Sequence, residues 1–156
     1  METLEMERTQ TEIADSPKLS ITQFIRAPRA RVYDAWTRPE ALQTWFCDGG
    51  NICAAAELDV REGGAFTFLI QIASGAKRTV TIRGVYRTVV PNALLQFSWQ
   101  GCTPDETSLV TVSLKDVAGG TELTLTHEQF ATEASRDSHN QGWTAIIANL
   151  DKVLSN

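Results

Sequence analysis

From Lys18 onward the chain alternates: Leu19, Ile21 and Ile25 are separated by polar neighbours, which predicts a strand ended by Ala27-Pro28. Pro28 suits the opening of a helix, because a proline there gives up an N–H that had no partner anyway. Val32, Ala35 and Trp36 then fall on one helical face. A second short helix is predicted from Pro39, with Leu42, Trp45 and Phe46 at helical spacing and an end near Asp48-Gly49-Gly50. Next come period-two segments at 57–61, 65–72, 78–90, 94–100, 107–116 and 121–130, broken by Gly63-Gly64, Pro91-Asn92 and Gly119-Gly120. Gly and Asn tolerate positive φ, so these breaks suit hairpin reversals and the segments read as an antiparallel meander.

One face of that meander is apolar. Phe66, Phe68 and Ile70 lie on it, followed by Val80, Ile82 and Tyr86, then Leu95, Phe97 and Trp99, then Val110, Val112 and Leu114, and finally Leu123, Leu125 and His127. The period changes in the last segment, where Trp143, Ile146, Ile147, Leu150 and Leu154 make a helical stripe with His139 one turn earlier. A helix over 137–154 is predicted to cover the sheet, giving an α+β fold of two layers with a six- to seven-stranded curved antiparallel sheet. Residues 1–17 have almost no apolar periodicity and read as a loose acidic tail, leaving 18–156 as one domain.

Composition changes this picture little. The chain has 156 residues, 42% apolar and 21% charged, which excludes a peptide hormone, a collagen and a large multidomain enzyme. A chain of this length buries roughly 70% of the surface its unfolded form exposes, so its core needs no metal or disulfide staple. Of the net charge of −5, −4 lies before Pro17. No basic stretch exceeds Lys77-Arg78, which argues against nucleic acid. There is no apolar run of membrane-spanning length and no greasy leader, so the expectation is a cytoplasmic protein without a membrane partner. Cys47, Cys53 and Cys102 match no zinc spacing and read as reduced thiols, and neither a metal nor a cofactor is expected.

The candidate chemistry sits on the concave face. Phe66, Phe68, Ile70, Ile82, Tyr86, Phe97, Trp99 and Val112 on the sheet and Trp143 and Ile147 on the helix line either a filled core or a ligand cavity, which Trp45 and Phe46 would close at one end. His127 and His139 converge from opposite walls. They could orient a carbonyl or carboxylate or serve acid–base work, or they are one satisfied buried histidine and one at a helix start in solvent. Asp59 and Arg61 face the cavity if Gly63-Gly64 is a two-residue turn, and face outward if the loop is longer. Gly142, mid-helix, costs about 1 kcal/mol relative to Ala, so it implies either close approach to the sheet or room for a ligand beside Trp143. No His pattern accompanies Cys47 to make it a nucleophile, and no G-x-S-x-G, P-loop or dinucleotide fingerprint is present.

Several stretches carry a family likeness. The run Ile25-Arg26-Ala27-Pro28-Arg29-Ala30-Arg31-Val32-Tyr33-Asp34-Ala35-Trp36-Thr37, followed by Pro39-Glu40-Ala41-Leu42 and Trp45, resembles the opening of the family homologous to the C-terminal domain of the heat-shock protein 90 ATPase activator. The stretch from Leu58 to Phe66, Gly84-Val85-Tyr86, Phe97-Ser98-Trp99, the stretch from Gly119 to His127, and Gly142-Trp143 extend the likeness in order over about residues 18–154. The resemblance implies the helix-grip fold of the START-like (SRPBCC) superfamily, a curved sheet wrapped around a long C-terminal helix with a cavity between them. Superfamily members bind lipids, hormones and polyketides, some cyclise or hydrolyse them, and the eukaryotic namesake stimulates a chaperone's ATPase. Fold alone does not choose among these. The leading expectation is a non-catalytic binder of a hydrophobic small molecule, as monomer or homodimer. The alternatives are a polyketide cyclase or hydrolase using His127 and His139, and an accessory module with a chaperone partner.

Overall fold

The computed structural model describes residues 16–47, 50–73, 78–101 and 106–155. The predicted tail, apart from Ser16 and Pro17, lies outside these residues, as do Asp48, Gly49, Lys77 and Cys102. The elements run β1 (Leu19–Ile25), α1 (Arg29–Thr37), α2 (Pro39–Leu42), β2 (Ile52–Leu58), β3 (Ala65–Gln71), β4 (Thr79–Val90), β5 (Leu94–Trp99), β6 (Ser108–Val117), β7 (Gly120–Glu128) and α3 (Glu133–Leu154). All seven strands form one antiparallel sheet in the order β1-β7-β6-β5-β4-β3-β2. The first strand therefore closes against the last, and β2 is left at the opposite edge. This is the two-layer α+β arrangement that the periodicity predicts and the helix-grip architecture that the family resemblance implies, with α3 packed across the concave face.

Alternation decides which side of the sheet is buried. Phe66, Phe68, Ile82, Tyr86, Leu95, Phe97, Trp99, Val110, Val112, Leu114, Leu123, Leu125 and His127 are all buried, and from the helix Trp143, Ile147, Leu150 and Leu154 meet them. The reversals use the residues that permit them: Gly63, Asn92 and Gly119 all have positive φ, between 65° and 85°.

Three elements differ from the periodicity. The strand predicted at 57–61 is instead β2, Ile52–Leu58, because Cys53 to Ala56 offer small side chains and no large alternating signal while still pairing with β3 through a bulge. Residues 59–64 form a loop longer than a two-residue turn. In it Gly64 passes so close to Asp59 that a Cβ would lie 2.0 Å from the Asp59 carbonyl oxygen. Asp59 and Arg61 consequently face solvent, paired with each other at 2.9 Å. Helix α2 stops at Leu42, with the turn at 43–45 carrying Trp45 and Phe46 inward. Finally, α3 starts four residues earlier than predicted, because the Thr132 hydroxyl accepts the Ser135 N–H at 3.0 Å and caps the first turn.

Candidate functional site

The start of α3 is held from the sheet side by a residue that the sequence pattern gave no reason to select. Glu106 is buried, and its carboxylate accepts the Ala131 N–H at 2.6 Å and the Ser135 hydroxyl at 2.7 Å. A carboxylate at a helix N-terminus meets the positive end of the helix dipole, so these are charge-assisted bonds. Further along, the Asn149 side-chain amide donates to the Trp45 and Cys47 carbonyls at 3.0 and 3.2 Å. These contacts fix the start of α3 and seat the turn after α2 against its C-terminal part.

Between those anchors lies His127. Its Nδ1 accepts the Trp143 Nε1–H at 3.0 Å, so that nitrogen carries no proton and the neutral ring is the Nε2–H tautomer. Nε2–H donates to the Ser108 hydroxyl at 2.6 Å, and that hydroxyl donates to the Trp99 carbonyl at 3.4 Å. Both ring nitrogens are thus occupied in a chain running from helix to β7 to β6 to β5. His127 has no exposed surface, and burial first, then the nearby His139, pushes its pKa down to about 3. His139 lies 5.1 Å away, centre to centre, and its Nδ1–H donates to the Ser135 carbonyl one turn earlier at 2.8 Å. The two imidazoles do converge, but His127 has no free nitrogen to offer a substrate.

Beside this network is a cleft of about 250 Å³, walled by Phe46, Ile82, Trp99 and Trp143, with Ser135, Ser138, His139, Gly142 and Ile146 contributing from the helix and Gly101 from the end of β5. It is mostly apolar. A second compartment of about 370 Å³ shares Phe46, Ile82, Ser138, Gly142 and Ile146 and extends toward Cys47, Asn51 and Ile70. The common wall explains Gly142. A Cβ built there meets nothing within 4 Å, so the glycine serves no close contact with the sheet and stands exposed at the mouth of the cleft instead. Gly142→Ala is therefore expected to raise stability by about 0.5–1 kcal/mol, the helix-propensity gain without strain, as read from the urea midpoint. A loss of stability would mean that the glycine is needed for packing.

The aromatic candidates separate into two groups. Phe46, Ile82, Trp99, His139 and Trp143 line the first compartment, and Ile70 lines the second. Trp45, Phe66, Phe68, Tyr86, Phe97, Val112, His127 and Ile147 are buried in the core behind it. Phe66 is central to that core, with Phe68, Phe97 and Tyr86 at centroid distances of 4.9, 5.3 and 5.5 Å. Cys47 and Cys53 are free thiols, and burial, followed by the charge of Cys53, pushes the Cys47 pKa up to about 12, which keeps it protonated and unreactive at neutral pH. Among the described residues no group of three His, Cys, Asp or Glu is placed to hold a metal, and no helix is long and apolar enough to cross a membrane.

A family model described as "Activator of Hsp90 ATPase homolog 1-like protein" matches residues 26–155. Among solved structures, a Chromobacterium violaceum protein superposes with a TM-score of 0.81 at 22% identity, covering 89% of this chain and 97% of that one. An uncharacterised protein from Rhizobium leguminosarum gives 0.75 at 28% identity, covering 90% and 95%. An AHSA1-like protein from Aeromonas hydrophila gives 0.72 at 22% identity, covering 87% and 90%. No curated protein matches.

Proposed function

The chain belongs to the Activator of Hsp90 ATPase homolog 1-like family, and from that membership and its cleft we propose that residues 18–156 form a single cytoplasmic domain that receives a small apolar molecule between the sheet and α3. One observation carries this reading: the aromatic-walled space beside Gly142 is filled by no side chain. An engineered cavity of about 150 Å³ already binds benzene, so a 250 Å³ cleft has room for a larger guest. Acid–base work by His127 is disfavoured by the same geometry, since it needs a nitrogen within reach of the substrate and both of that ring's are taken.

The direct test is native mass spectrometry of protein from its own host, together with a thermal-shift screen of lipids and aromatic compounds. Gly142→Leu, which places a side chain in the cleft, is expected to weaken any ligand so found at least tenfold, measured by calorimetry, while the protein stays folded. An apo mass and no stabilisation by any compound would remove the reading. The family's description supports a second reading, stimulation of a chaperone ATPase through the outer surface. That activity would be unchanged in Gly142→Leu, which separates the two.

A further inference from the structure

We propose that the outer edge of β1 is a docking site for an extended acidic peptide segment of a partner protein, which adds to the seven-stranded sheet as a further strand and sets a carboxylate near Lys18 at one end and near Arg26 at the other. This surface shares no residue with the cleft. The two edges of the sheet are built differently. At β2 the Gln43 side-chain amide bonds the Cys53 and Ala54 carbonyls, at 3.1 and 3.2 Å, and a bulge interrupts the strand. At β1 no bulge breaks the register with β7, and Leu19–Ile25 contains neither a charge nor a proline. Charges, prolines and bulges are the usual guards of an open edge, because its unpaired N–H and C=O groups otherwise invite another strand. The Ile25 carbonyl is turned toward β7, since a Cβ on Gly120 would lie 2.2 Å from it. Backbone groups alternate in direction along a strand, so those of Ser20, Thr22 and Phe24 point away from β7. In place of a strand, the Phe24 carbonyl accepts the side-chain amide of its own neighbour Gln23, at 3.0 Å.

Charge selects the occupant. Lys18 and Arg26 are exposed at the two ends of the strand, and neither forms an ion pair among the described residues. The carboxylates of β7, Glu122 and Glu128, lie one strand further in, and Glu122 stands opposite Lys115 of β6. At the Arg26 end a groove of about 550 Å³ lies between the strand and the end of α3, lined by Gln23, Phe24, Arg26, Asp151, Lys152 and Ser155. Its one carboxylate, Asp151, accepts the Ser155 hydroxyl, which leaves Arg26 and Lys152 to an incoming acid. A second copy of the chain is disfavoured by the same charges. The outward-facing residues permit a two-fold antiparallel pairing centred on Thr22, and that pairing sets Lys18 opposite Arg26 of the other copy at both ends, where like charges repel. An acidic segment reverses the sign. Its backbone bonds Ser20, Thr22 and Phe24, and its end carboxylates supply the selectivity.

Three end-blocked peptides that match the span from Lys18 to Arg26 isolate this: Glu-Thr-Val-Thr-Val-Thr-Val-Thr-Glu, the same sequence with lysine at both ends, and the acidic peptide with proline at its centre. Each is titrated into the full chain at low salt, with affinity read from amide chemical shifts and pairing from hydrogen exchange. The acidic peptide is expected to bind at least tenfold more tightly than either of the others. It is also expected to slow exchange of the Ser20, Thr22 and Phe24 amides at least tenfold, while those of Ile21 and Gln23, which face β7, stay as they are. The double variant Lys18→Glu/Arg26→Glu, which alters exposed side chains alone, is expected to prefer the lysine peptide. Equal binding of the acidic and lysine peptides, protection without the alternate pattern, or binding of none of the three overturns the proposal. Protection of those three amides without peptide overturns it too: growth with protein concentration would make the occupant a second copy, and persistence at every dilution would mean that the edge is closed within the chain.

Discussion

Trp143→Ala is expected to destabilise the protein by about 3–5 kcal/mol, read as a lower urea midpoint with little change in slope. The ring is buried and sits where four others meet, with centroids 5.2 Å from Trp99, 5.9 Å from Phe46, 6.1 Å from Trp36 and 6.3 Å from His127. Truncation removes that contact area and leaves a void that the anchored helix and sheet are poorly able to close. It also strips His127 Nδ1 of its donor, leaving a buried acceptor unsatisfied. Trp143→Phe separates the two losses: it keeps most of the ring packing and deletes the N–H, so a cost of about 1–3 kcal/mol is expected from the orphaned nitrogen. Against a typical total of about 5–15 kcal/mol, the alanine variant lies close to unfolding. A cost below about 1 kcal/mol for alanine would show that α3 is held by other contacts, and Trp143 would no longer be the joint between helix and sheet.

That joint shows how much the chain reveals in one dimension. The inward face of every strand after β2 follows from alternation, because a period of two leaves no choice about side once one large residue is buried. Strand β2 escapes alternation for the converse reason, since Ala54, Ala55 and Ala56 fit a sheet edge without announcing one. His127 and Trp143 both read as inward-facing, yet the bond between them depends on the depth of α3 over β7. Ser108 joins them only because β5 and β6 pair with Ser108 opposite Trp99. Glu106 carried no signal, since a single carboxylate before a strand looks solvated until the helix start is placed over it. The division of the aromatic stripe has a similar cause: Phe66 and Phe97 pack on each other, whereas Ile82 and Trp99 line the cleft beside Gly142, where the helix withholds a side chain. Periodicity reports which side a residue faces, not whether the opposite wall reaches it.

Folding stability is expected to fall as the pH drops below about 6.5, by about 2 kcal/mol between pH 7.5 and pH 5, with His127 as the cause. In the unfolded chain this histidine takes a proton near its ordinary pKa of about 6.5, whereas in the fold the value is pushed down to about 3. Between those two values the unfolded state binds one more proton than the native state, so acidification favours unfolding; above the upper value neither form is protonated and the difference vanishes. The limiting slope is one proton, about 1.4 kcal/mol per pH unit. Protonation in the fold would put a hydrogen on Nδ1 facing the Trp143 N–H, and would place a cation beside the Trp99, Phe130 and His139 rings with no carboxylate bonded to it. Urea titrations at pH 5, 6, 7 and 8 measure the slope above the range where most carboxylates titrate. Nitrogen chemical shifts of the imidazole should show the neutral Nε2–H tautomer still present at pH 5. A His127 ring that titrates near 6.5 in the folded protein, or a stability profile flat from pH 8 to pH 5, would mean that the bonds to Ser108 and Trp143 do not hold the ring neutral, and the account of how helix and sheet are joined would have to change.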